Sequence, residues 1–197
     1  MTPLAVILYE DQRGPEKEFG LHNLLVACVA DDAGDDRFAL RRKLDGRPMK
    51  GVQNLLRSCR RDIRRLSSKG QQVFALVDND AIRHQLKHEG ITESADDAAV
   101  VRAIKDKCDA PERLHVFLLK ENTETVIEAA EHCDKGLARA LVTQALQKDV
   151  NARDAIFNRI SWQSDRAVRD CIRQRVEAIL DIVKALVTLV RAGDGSI

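Results

Sequence analysis

A chain of 197 residues with 44% apolar and 32% charged content can fold as one medium domain with an extension, and its balance excludes wholesale disorder. Aromatic residues amount to 4%, which argues against base-stacking platforms, and the five scattered cysteines (Cys28, Cys59, Cys108, Cys133, Cys171) include no CxxC pair, which points to reduced cytoplasmic thiols rather than disulfides or zinc. The formal net charge of +1 conceals an asymmetry: between Arg37 and Lys69 twelve Lys and Arg face only Asp45 and Asp62, so the remainder is acidic.

The opening MTPLAVILYE carries no basic leader region, and its apolar run 4–9 reads as a buried strand ending at Glu10-Asp11. A loop with Gly14-Pro15 follows, then a helix over 18–31 with apolar residues at 21, 24, 25 and 28. Residues 31–36 (DDAGDD) read as a loop, RFALRRKL (37–44) as a strand, and DGRPMKG (45–51) as a turn. Residues 52–66 form a helix whose stripe is Val52, Leu55, Leu56, Cys59, Ile63 and Leu66, with Arg57, Arg60, Arg61, Arg64 and Arg65 opposite. A second strand (72–77), a helix from about 81, a helix capped at Ser94-Ala95-Asp96 and closed by Pro111, and a third strand (114–119) complete an alternating pattern. Beyond Glu124 only helices are expected: 123–133, 136–148, 151–160 and a long one over roughly 165–191. The last is interrupted by Glu177, Asp181 and Lys184, too charged and short to span a bilayer.

Strands alternating with helices imply an α/β fold, a mostly parallel sheet flanked by helices, over residues 1–130, with an all-helical C-terminal extension over 131–197. The breadth of the final apolar stripe, Val168 to Val190, suits packing on the domain and on a second copy, a homodimer through the C-terminal helices.

Ligands of open parallel sheets bind outside the carboxyl ends of the strands. Three strands end in acid: Glu10-Asp11, Asp78 with Asp80, and Glu121 with Glu124. Converging carboxylates repel unless a hard cation neutralises them, and Mg²⁺, or Mn²⁺, suits such a set better than zinc. His84 and His88 lie one helical turn apart but have no third ligand at a recognisable spacing.

Glu10 in VILYEDQ followed by Asp78 and Asp80 in FALVDND, with βα units between, resembles the TOPRIM domain shared by primases, topoisomerases, small RNA-maturing nucleases and the OLD nucleases. With FLLKENTET, the likeness is nearest to compact stand-alone TOPRIM-related proteins and covers roughly residues 3–130. It departs from the pattern after Glu10, where Asp11-Gln12 stands in place of the usual Gly. The resemblance implies a metal-dependent nuclease in which Asp78 and Asp80 hold Mg²⁺, Glu10 binds a second ion or acts as general base, Glu124 is the later acidic residue and Lys120 contacts phosphate. Tyr9 is the only tyrosine and no separate nucleophile domain is present, so a topoisomerase is not expected; nor is a primase, since the chain lacks a zinc module.

Arg41, Arg42, Lys50, Arg57, Arg60, Arg61, Arg64 and Arg65 are the expected contacts to a DNA or RNA backbone, because only Asp62 lies within that helix to neutralise them. An acidic protein partner would use the same face. Two further functions compete: a non-catalytic adaptor on a degenerate fold of this type, and a phosphoreceiver-like domain using Glu10-Asp11, Asp78 and Lys120. The receiver lacks support in the roughly seventy residues between its first two motifs and in the absence of Pro-Gly after Asp78.

Overall fold

The computed structural model describes residues 2–10, 20–92, 94–120 and 123–194, so Asp11, Gly14, Pro15 and Glu121 lie outside the described residues. The chain divides into two units, one comprising Met1–Gln12 with Lys43–Asn122 and the other Arg13–Arg42 with Thr123–Ile197. This differs from a cut at residue 130. The helices from Thr123 onward recruit the first helix of the chain into their own core, so the helical unit is discontinuous rather than a C-terminal extension.

The α/β unit is built on strands β1 (Ala5–Tyr9), β2 (Leu44–Pro48), β3 (Gln72–Asp78) and β4 (Leu114–Leu119), in the order β2-β1-β3-β4 and all parallel. Helices α3 (Val52–Arg61), α4 (Ile63–Leu66), α5 (Asn79–Leu86) and α6 (Asp97–Lys105) supply the crossovers. Strand periodicity sends Val6, Leu8, Val73, Ala75, Val77 and Leu114 to one face, where they pack with Leu55, Cys59, Ile63, Ile82, Val100 and Ile104. Residues of opposite parity, Ile7, Tyr9, Phe74 and Leu76, are also buried, which is why these strands read as continuous apolar runs.

Two expected elements change. RFALRRK forms helix α2 (Arg37–Lys43), because Asp36 starts it by accepting from the Ala39 N–H at 2.9 Å. The strand is instead LDGRP, expected to be a turn; as an edge strand it tolerates Pro48 and Gly46. The basic helix also breaks at Asp62, which separates α3 from α4.

The helical unit comprises α1 (Gly20–Ala33), α2, α7 (Thr123–Cys133), α8 (Arg139–Leu146), α9 (Val150–Asn158), a π-helical turn (Arg159–Gln163), α10 (Arg166–Arg175) and α11 (Glu177–Asp194). The single long helix expected at 165–191 is two helices hinged at Val176. Residues Leu21 to Ala30 of α1 are all buried, so this helix is central rather than amphipathic. The first half of the expected loop at 31–36, Asp31 to Ala33, is its last turn. Asp31 and Asp32 oppose the helix dipole there, and arginines of α10 offset them. Arg169 donates to Asp31 at 2.5 and 3.1 Å, and Arg166 and Arg173 pair with Asp32.

Cys133 and Cys171 form a disulfide between α7 and α10. This corrects the expectation of five reduced thiols and removes one of the premises on which a cytoplasmic location was expected. Cysteine spacing in sequence could not reveal a pair that only helix packing brings together. Cys28 and Cys59 remain free, and burial pushes both thiols up to about 12. No helix of the described residues is long and apolar enough to cross a membrane.

Candidate functional site

The carboxyl edge of β1, β3 and β4 brings Glu10 and Asp78 together, with Asp80 and Lys120 following β3 and β4 in the chain. β1 and β3 pair in register Tyr9↔Leu76, so Glu10 leaves the sheet one residue short of Asp78. Its Oε2 accepts a hydrogen bond from the Asp78 backbone N–H at 3.2 Å. That contact satisfies a donor at the strand end and fixes the two acidic residues side by side. Asp78 occupies the N-cap position of α5, yet its side chain makes no capping bond there. The plainer role for this carboxylate, ending a strand by capping the next helix, is therefore not the one it fills. Asp80 is exposed in the first turn of α5, where the helix dipole favours its charge.

β4 lies beside β3 with Leu119 opposite Asp78, so the exposed Lys120 follows at the same edge. Glu124 belongs to the first turn of α7 in the helical unit, where it pairs with Arg153. Tyr9 is fully buried, and desolvation holds its phenol well above the usual range, so it is no surface nucleophile.

Two supports of this corner escaped the sequence. Arg83 donates to the Asn79 side chain at 2.8 Å, to Asp97 at 2.5 Å and to the Ala95 carbonyl at 2.5 Å, bracing the residue between the two aspartates. The i, i+4 spacing of Asn79 and Arg83 was the available signal. Second, the Gly51 N–H donates to the Glu10 carbonyl at 3.0 Å, which brings the exposed Lys50 to the same edge. The chain turns there with φ of 57° at Lys50 and 111° at Gly51; the second value requires glycine.

The basic helix is less bare than its sequence suggests. Arg60 makes a two-pronged contact with Glu89 at 2.8 and 2.5 Å, and Arg64 donates to the Asp109 carbonyl at 2.8 Å. Arg65 pairs with Asp62 at 3.3 Å. Glu89 and Asp109 come from elsewhere in the fold, so counting charges within the helix missed them. Arg57 donates to Asn54, and Arg61 is exposed with no partner among the described residues. Arg41 and Arg42 belong to α2 and hence to the other unit, so the eight basic residues are not one stripe on a single body.

Arg60 and Lys107 lower the Glu89 carboxyl to about 2, the Arg60 hydrogen bonds contributing most. A depressed acid stabilises the fold above its unfolded pKa of about 4.3 and loses that contribution as pH falls toward the folded value. Glu89→Gln is therefore expected to lower stability by about 2 kcal/mol near neutral pH, allowing for partial exposure. The gap to wild type closes as pH falls from about 4.3 toward 2. Urea midpoints of both proteins from pH 7 to 3 check this; a pH-independent gap would contradict it.

Among the described residues no group of three or more His, Cys, Asp or Glu side chains is disposed to hold a metal ion. What the edge does offer is an all-oxygen pair, Glu10 and Asp78, with exposed Asp80 nearby in sequence. That donor set fits Mg²⁺, which keeps most of its waters and takes only one or two carboxylates. His84 and His88 are both exposed on α5 and its continuation.

No family model matches the chain, and no curated protein matches it. Among solved structures it is similar to the C-terminal region of the OLD protein of Xanthomonas campestris pv. campestris, seen in mercury-, platinum- and iodine-phased forms. For the mercury form the identity is 16% and the TM-score 0.41, over 93% of this chain and 97% of that one. For the platinum form they are 17% and 0.37, over 93% and 95%. These scores are too low for the likeness to bear on the site.

Proposed function

We propose that this chain is a Mg²⁺-dependent nucleic-acid phosphodiester-processing protein with a TOPRIM-type site at the carboxyl edge of its sheet. The observation that carries it is the Glu10 carboxylate on the Asp78 N–H, which joins the ends of two adjacent parallel strands where ligands of such sheets bind. Glu10, Asp78 and Asp80 would hold the cation, or its Mn²⁺ substitute. When bound, the ion supplies an acidified water and charge to stabilise a leaving oxygen. Lys120 and Lys50 stand at the same edge as cations for a substrate phosphate, and exposed Arg57 and Arg61 extend the positive surface along α3. Arg60, Arg64 and Arg65, already engaged within the fold, serve mainly to position that helix. Glu124, held by Arg153, is not part of this proposal.

The competing reading is a non-catalytic binding module on the same fold. It is favoured by the lack of a three-ligand metal group among the described residues. Labelled single- and double-stranded DNA and RNA, incubated with Mg²⁺, Mn²⁺ or EDTA, separate the two. The expected result is metal-dependent cleavage that falls by at least about a hundredfold in Asp78→Asn with the fold intact, the scale of losing one electrostatic contribution to catalysis. Metal-independent cleavage, or equal cleavage by the variant, would overturn the enzyme reading. Binding without cleavage would select the module.

A further inference from the structure

A cavity of about 200 Å³ lies within the helical unit, lined by Gly20 and Asn23 of α1, Phe38 and Arg41 of α2, Asp154 and Asn158 of α9, and Trp162 of the π-helical turn. Four features there are unusual together. Phe38, 64% exposed, is the one large apolar side chain standing in solvent among the described residues. It stacks on Trp162, the only tryptophan in the chain, with ring centroids 5.8 Å apart and planes at 21°. Trp162 is presented by a π-helical turn, a distortion that recurs at functional sites. Asn23 is 5% exposed, yet its side-chain carbonyl oxygen finds no donor. A buried acceptor left unpaired is a cost that folding alone does not explain.

We propose that this cavity binds a nucleobase. Its volume is below the ~300 Å³ at which sites for drug-sized ligands begin, so it suits a single planar ring system. The aromatic pair provides a flat apolar wall for stacking, an interaction every base accepts. Two carboxamides, Asn23 and Asn158, also line the cavity, and the exposed Asn158 has no side-chain partner among the described residues. A carboxamide offers a donor and an acceptor side by side, the complement of a base edge. A purely hydrocarbon ligand would leave these groups unmet, and a bare phosphate would gain nothing from the aromatic wall. The composition-based expectation against stacking platforms is thus answered by where two of the few aromatics sit. The inference is independent of the carboxylate edge, because every lining residue belongs to the helical unit.

Trp162 is its own reporter. Full-length protein is excited at the red edge of tryptophan absorption and titrated with AMP, CMP, GMP and UMP, with ribose 5-phosphate, and with short oligo-dA and oligo-dT. The expected result is saturable quenching by at least one nucleotide and none by ribose 5-phosphate. Affinity should fall about 5- to 100-fold in Phe38→Ala, the range for losing one base stack, and at least severalfold in Asn158→Ala. Both positions are exposed, and thermal melts check that the variants fold. Asp78→Asn should quench like wild type, which separates this site from the proposed metal edge. Tighter binding of an oligonucleotide than of its monophosphate identifies a strand as the source of the base; equal binding identifies a free nucleotide. Absence of saturable quenching, quenching by ribose 5-phosphate alone, or affinities unchanged in both variants would overturn the proposal.

Discussion

Arg169→Ala is expected to cost the helical unit about 3–5 kcal/mol, the penalty for breaking a buried ion pair. Arg169 is only 2% exposed and is the largest fully buried side chain among the described residues. It donates to both oxygens of Asp31 and, through Nη1, to the carbonyls of Ser164 at 2.6 Å and Ile160 at 3.4 Å. Truncation leaves Asp31 in a site that is 90% closed, with Arg37, 3.2 Å away, as its remaining cation among the described residues, and strips two carbonyls of this donor. A loss of that size is a large share of the ~5–15 kcal/mol that holds a typical domain folded. The double variant Asp31→Asn/Arg169→Met should recover part of it, because neither buried charge remains. Urea unfolding followed by Trp162 fluorescence, a probe inside this unit, measures both. A single variant within about 1 kcal/mol of wild type would show that the pair contributes no more than a surface bridge.

The second large effect belongs to the disulfide. Cys133 and Cys171 close a loop with a sequence separation of 38, for which chain entropy gives about 4 kcal/mol of stabilisation. Reduction, or Cys133→Ser/Cys171→Ser, is expected to lower the unfolding midpoint of the helical unit accordingly, while wild type in reductant should match the double variant in either condition. Thiol counting provides the control: alkylation in denaturant should label Cys28, Cys59 and Cys108 before reduction and all five cysteines after it. Five labelled thiols without reductant would remove the bond and its contribution together. The bond joins α7 to α10 close to the π-helical turn, where Arg159 holds Asp134 at 2.8 Å and, with Ser164 and the Gly136 N–H, lowers that carboxyl to about 2. Disulfide, ion pairs and turn thus brace the elements that present Trp162 and Asn158.

Electrostatic partners divide differently between the two units. In the α/β unit the arginines of α3 and α4 find acceptors across short crossovers: the Glu89 carboxylate after α5 for Arg60 and the Asp109 backbone carbonyl before β4 for Arg64. In the helical unit, Asp31 and Asp32 at the end of α1 meet Arg166, Arg169 and Arg173 from more than a hundred residues away. Neither pattern is visible to a charge count along the chain. The surplus of base between Arg37 and Lys69 is real, but much of it is spent inside the fold, and its first residues belong to a different unit from the rest.

Local chemistry alone determined a good deal of this protein. Three apolar runs bounded by polar residues fixed β1, β3 and β4; for β1 and β3 the reason is that strands buried on both faces leave no room for alternation, while β4, at the sheet edge, is half-buried along its middle. Their acidic ends located Glu10, Asp78 and Asp80, and chain order made the sheet parallel. Short-range signals failed where a long-range contact decided the outcome. LDGRP became a strand because β1 offered it an edge, and α1 lost its polar face because α9, α10 and α11 surround it. Cys133 met Cys171, Arg60 met Glu89, and Phe38 met Trp162 by the same route. Periodicity and capping report which face a residue takes on its own element; which distant residue it then faces is set by how the elements pack, and that was decided only by the tertiary structure.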